Sequence, residues 1–155
     1  MTPAQNALGS ILSAGAPEPV EIDPQLLARQ QTCPEVSVQP ETESLRRDAG
    51  SGEASQLRWQ ASITETAREC QPAEGGTKVR VGIAGRVIEG PAGFSGAVEL
   101  PVRVAVRENG EITYSRLHTV RVEREGASQA WAFVDEQVVV DDVNRSEIVV
   151  GFDNS

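Results

Sequence analysis

The sequence predicts an all-β protein: an antiparallel, immunoglobulin-like β-sandwich of about seven or eight strands, carried behind a flexible N-terminal tether. Three observations lead there. From Cys33 onward apolar residues recur with a period of two, the spacing that lines one face of a strand. Gly, Pro and Asn-rich turns separate these runs at short intervals, as in sheets built from consecutive strands. No stretch keeps the three-to-four spacing of a long amphipathic helix.

Residues 1–31 form the predicted tether. Pro3, Pro17, Pro19 and Pro24 punctuate small and polar residues, and such a segment buries too little apolar area to offset the entropy of ordering it. One short helical turn is expected in "DPQLLARQQ", with Asp23 as N-cap, Pro24 in the first turn and Leu26 and Leu27 on the apolar side.

The sandwich domain is expected over residues 32–155. It opens with the alternating "EVSV", followed by the polar connection "QPETESLRRDAGSGEASQ", in which Leu45 is the sole large apolar residue. In "LRWQASI" Leu57, Trp59, Ala61 and Ile63 share one face. After the turn "PAEGG", "TKVRVGIAGRVI" sets Val79, Val81, Ile83 and Val87 against Lys78, Arg80 and Arg86. "EGPAGFSG" connects to "AVELPVRVAVR", whose Val98, Leu100, Val102, Val104 and Val106 make the most regular apolar ladder in the chain. Pro101 on its outer face cannot donate to a neighbour and predicts an edge position or a bulge.

Asn109-Gly110 tolerates positive φ at both positions and predicts a tight two-residue hairpin. In "ITYSRLHTVRVE" Ile112, Tyr114, Val120 and Val122 share a register from which Leu117 departs, so a bulge is expected between Tyr114 and Val120. "QAWAFVDEQVVV" is a further strand with its phase broken near Asp135, and "SEIVVGF" is the last.

The two cysteines, Cys33 and Cys70, admit four readings. Zinc needs four ligands, and His118 is the only histidine to add. A catalytic thiol needs a base, and His118 is again the only candidate. Two buried reduced thiols in a cytosolic domain are a further reading. A disulfide is favoured, because the count is even and each cysteine stands at the boundary of a predicted strand beside polar sequence. Such a bridge places the protein in an oxidising compartment.

Little else carries chemistry. Asp135, Glu136, Asp141 and Asp142 cluster in "VDEQVVVDDV", but they lack the spacing and glycine of a calcium loop and read as a solvated acidic segment. "VGIAGRV" and "GPAGFSG" lack the Gly-Lys-Ser/Thr and the following helix of a phosphate loop, and no Gly-x-Ser-x-Gly occurs. Neither catalytic residues, nor a cofactor, nor a metal is expected. The alternative enzyme reading is a small hydrolase working through carboxylates. A net charge of -9 argues against nucleic acid as a partner. Arg80, Arg86, Arg103, Arg107, Arg116 and Arg121 alternate with the apolar ladders on three successive strands. In a meander they would align as a basic binding stripe, or else pair with Glu99, Glu111 and Glu123. Sheet edges are the other expected place for a peptide or subunit.

No run of apolar residues is long enough to span a bilayer. The N-terminus lacks a basic leader, which at face value means cytoplasmic; the bridge favours a leader already removed. "CPEVSV…ESLRR", "LRWQASITETAREC", "VRVGIAGRVIEGPAGFSGAVELPVRVAV", "YSRLHTVRV" and "IVVGFD" resemble a group of small alphaproteobacterial cell-envelope proteins of lipoprotein-like character. The likeness covers about residues 33 to 153. It implies a periplasmic or outer-membrane-associated β-domain, anchored through a lipidated cysteine ahead of a Pro-rich segment, although this chain has no cysteine near residue 1. The expected function is therefore non-catalytic: binding or bracing another envelope protein, with a lipid anchor or leader as the membrane connection.

Overall fold

The computed structural model describes residues 33–50 and 52–154, together with Pro24. The predicted tether and its helical turn otherwise lie outside the described residues. Eight strands build the domain: β1 (Val36–Val38), β2 (Ser44–Asp48), β3 (Leu57–Ala73), β4 (Gly76–Glu89), β5 (Ala97–Glu108), β6 (Glu111–Glu123), β7 (Ser128–Val140) and β8 (Ser146–Phe152). Single 3₁₀ turns at Ala54–Gln56 and Val143–Arg145 precede β3 and β8. The front sheet has the order β1-β8-β5-β6 and the back sheet β2-β3-β4-β7.

The chain crosses between sheets after β1, β4, β6 and β7, and from β3 onward this is the Greek-key winding of an immunoglobulin-like sandwich. One position differs from that plan. The place beside β8, which an immunoglobulin domain gives to the strand following it, is taken by β1 running parallel to β8.

The core lies between the sheets and is built mainly of β-branched side chains. Leu100, Val102, Val104 and Val106 of β5 face Val79, Val81 and Ile83 of β4. Trp59, Trp131, Val138, Val140, Ile148, Val150 and Phe152 are among the other buried core residues. Stiff Val and Ile rotamers fit a pleated surface and lose little freedom on burial, so a core with few aromatics still packs.

Two glycines permit close backbone approach. Gly85 stands opposite the bulge that β3 makes between Ile63 and Glu65, and a Cβ there would overlap the Ser62 carbonyl oxygen. Gly151 lies under Thr42, whose hydroxyl occupies the space a Cβ would need.

The hairpin at Asn109-Gly110 forms as predicted, with φ of 53° and 83°. The phase break in β7 is a ladder irregularity that moves the inward set from Asp135 to Val138. Three details differ from the sequence reading. The connection containing Leu45 holds β2, where Leu45 is 2% exposed; an edge strand with one inward anchor has no alternation to reveal it. Pro101 is in an interior strand, not at an edge, and the β5–β6 irregularity lies at Val106/Arg107. Pairing of β8 with β5 stops at Phe152 opposite Val102, so Pro101 falls just past its end, with its carbonyl accepting from the Asp153 N–H at 2.8 Å.

The third difference is in β6. No bulge separates Tyr114 from Val120; the irregularity at Thr113 turns Ile112 outward instead. Ile112 and Leu117 are consequently both exposed, at 55% and 48%.

Candidate binding surfaces and the buried polar cluster

Cys33, just before β1, and Cys70, on β3, form a disulfide with Cα atoms 5.7 Å apart, inside the usual range. The bridge joins the edge of the front sheet to the back sheet. Neither cysteine is a free thiol.

The six arginines do not form one stripe. Arg80 and Arg86 project from the outer face of the back sheet, whereas Arg103, Arg107 and Arg121 project from the outer face of the front sheet, because the chain changes sheets between β4 and β5. Arg116 is on the inward side of edge strand β6, opposite Val104.

Most of these guanidiniums are occupied by neighbours. Arg80 lies between Glu136 at 3.0 Å and Glu69 at 3.8 Å; the closer contact is an ion pair without hydrogen-bond alignment, which leaves its buried Nε undonated. Arg86 donates to Ser128 Oγ at 2.8 Å, Arg107 pairs with Glu147, and Arg121 pairs with Glu123. Arg103 donates from Nε to Asp153 and from Nη1 to Ser115 Oγ.

Arg103 and Arg107 also flank a groove of about 500 Å³ across the outer face of the front sheet. Ala105 and Gly151 leave its floor low. The Gln39–Thr42 turn walls one side and Ile112 and Ser115 the other. Short floor residues between tall, carboxylate-held arginines give a shelf whose charged walls are fixed before any ligand arrives, which lowers the ordering cost of binding.

The sheet edges on the far side are guarded. Arg116 points inward from β6, and β7 is irregular beside a buried acid, two devices that disfavour edge-to-edge pairing. The acid is Asp135, whose side chain is fully buried. Its Oδ2 accepts from Tyr114 Oη and meets His118 Nε2, both at 2.9 Å, and its Oδ1 accepts from the Gln137 N–H at 2.8 Å. His118 also lies against Phe133, with ring centroids 4.5 Å apart.

The cluster ties β6 of one sheet to β7 of the other. Burial, then the hydrogen bond to Asp135 and its negative charge, push the Tyr114 phenol up to about 12. Sequence reasoning missed this cluster because its members are 21 and 17 residues apart on different sheets. The available signal was Asp135 itself, a carboxylate placed where the strand's phase breaks.

The other acids of that segment diverge. Glu136 faces Arg80, and Asp142 Oδ1 caps the Asn144 N–H at 2.9 Å. The Asp141 N–H donates to Glu108 Oε1 at 2.9 Å. Among the described residues no three His, Cys, Asp or Glu side chains gather as a metal site. Nor is any described helix long and apolar enough to cross a membrane. Comparison with family models, curated proteins and solved structures finds no match to this chain.

Proposed function

We propose that the chain is a non-catalytic β-sandwich of the cell envelope that binds or braces another protein, in the periplasm or at the outer membrane, and is connected to a membrane through a leader or lipid anchor in the manner of a lipoprotein. The observation that carries the binding role is the groove on the front sheet. It is concave, low-floored and bounded by side chains already held by neighbours, as suits an extended segment of a partner. The Cys33–Cys70 bridge supports an oxidising compartment. Asp135, the most buried carboxylate among the described residues, accepts from protein donors at both oxygens, so it favours a structural role over hydrolysis.

The test is crosslinked capture from envelope extracts with paired variants. Ala105→Arg fills the groove from an outward position, and Ala132→Arg places the same bulk on the exposed face of the back sheet. The reading requires that capture be lost with Ala105→Arg and kept with Ala132→Arg. Equal capture by both would remove the groove from consideration.

A further inference from the structure

Strand β1 is lightly held. It makes three parallel ladder pairs, Val36↔Ile148, Ser37↔Val149 and Val38↔Val150, fewer than an ordinary strand and in the weaker pairing mode. Val36 and Val38 are half-buried and Ser37 is exposed. Its seat, by contrast, is part of the core: Ile148 and Val150 are buried beneath it. The seat therefore needs a covering strand; beyond the ladder, β1 is held by Val36 and Val38 against the core and by the bridge just before it.

The link from β1 to the rest of the domain is strained. The Thr42 N–H donates to the Gln39 carbonyl at 3.1 Å, closing a four-residue turn with Pro40 second and Glu41 third. Glu41 has φ of 70°, as the third position of a type II turn demands and as glycine ordinarily supplies. A side chain in that region is disfavoured, and an extended hinge would release it. A short hinge that relaxes only by opening is the usual precondition for strand exchange.

The bridge adds a covalent record. The seat and Cys70 belong to the same body, so Cys33 reaches Cys70 whichever chain supplies β1. We propose that β1 is exchangeable, and that its seat beside β8 accepts β1 from a second copy of this chain. The product is a reciprocal dimer in which Cys33 of each copy is bonded to Cys70 of the other. The Gln39–Thr42 hinge also walls the front-sheet groove, but the proposal is read from disulfide connectivity and not from capture of a partner, so the two readings fail separately.

Exchange needs the bridge opened. A dithiol such as dithiothreitol supplies two electrons, the Cys33–Cys70 bond becomes two thiols, and the reagent closes to its cyclic disulfide. Oxidised glutathione then reverses the change, taking both electrons through a mixed disulfide and leaving two reduced glutathiones. Until that step the chains are free to trade β1.

The test mixes equal amounts of unlabelled and isotope-labelled full-length chain. The mixture is reduced in mild denaturant at low and at high protein concentration, then re-oxidised with glutathione. A disulfide-linked dimer that increases with concentration is expected on a non-reducing gel. Proteolysis of that dimer should yield Cys33–Cys70 peptides, about half carrying one label of each kind, the random pairing expected of a symmetric dimer. Glu41→Gly, which relaxes the closed turn, should lower the dimerisation constant by about twenty-five-fold, about fivefold for each of two hinges. Deleting Pro40 and Glu41 should raise it. Monomer alone at every concentration from the wild-type chain and from a folded deletion variant would overturn the proposal. So would a dimer bridged only Cys33 to Cys33 or Cys70 to Cys70, or a dimer fraction that Glu41→Gly leaves unchanged.

Discussion

Tyr114 is the only tyrosine in the chain, so phenolate absorbance follows one group in one place. Its hydroxyl donates to Asp135 Oδ2 at 2.9 Å, and ionisation would set two negative oxygens against each other in a partly buried site. The phenol is accordingly raised from 10 to about 12. A group whose proton is held more tightly in the folded state contributes stability that is complete below its unfolded value. That contribution is lost as pH rises through the folded value, so the window runs from 10 to about 12. Two units correspond to at most roughly 2.7 kcal/mol, and solvent screening of a partly exposed side chain reduces this to about 1 kcal/mol.

The assay is a stopped-flow pH jump that records phenolate absorbance before the chain unfolds, with tryptophan fluorescence reporting that the fold persists. Wild type should titrate near 12, and Asp135→Asn should fall toward 10 without reaching it, because burial still acts on the phenol. A native-state midpoint within about half a unit of the ordinary tyrosine value would refute the reasoning.

Four further outcomes follow from the same geometry. Replacing both Cys33 and Cys70 by Ala should lower stability by about 4 kcal/mol in denaturant melts while leaving a folded sandwich, the chain-entropy value for a separation of 37 residues. Gly85→Ala should cost about 3 kcal/mol or more, because its Cβ meets a carbonyl in the back sheet. Gly82→Ala, whose Cβ would make ordinary contact with Ala67, should melt close to wild type; equal effects of the two alanines would disprove the close approach. Gly110→Ala should cost about 1 kcal/mol through its positive φ, measured by the same melts. Finally, Glu108 titrates below its ordinary value: desolvation raises it, but hydrogen bonds from Thr113, Asp141, Asp142 and Ser146 outweigh that. Its stabilisation is therefore full above the unfolded carboxylate value and lost as pH falls through the depressed one. A Glu108→Gln variant should show a shallower acid limb in a stability–pH profile.

The strands containing Val79, Val81, Ile83 and Leu100, Val102, Val104 were legible in the sequence because each is buried on one face and solvated on the other, and alternation records that difference directly. The Asn109-Gly110 hairpin was legible because positive φ is a property of two adjacent residues. The cysteine pairing followed from an even count and from position at strand boundaries.

What the residues did not disclose depends on which strand meets which. Leu45 alone could not announce β2, since its burial comes from being laid beside β3. Whether Arg80 and Arg103 share a face was settled by the crossing between sheets after β4, which no local pattern encodes. Asp135, Tyr114 and His118 form one cluster only because β6 and β7 close the same side of the sandwich. Local periodicity reports how each residue is partitioned between core and water; long-range pairing, set by the mutual fit of whole sheets, decides which side chains become neighbours. The tertiary structure alone therefore decided the groove, the buried acid and the parallel seat of β1.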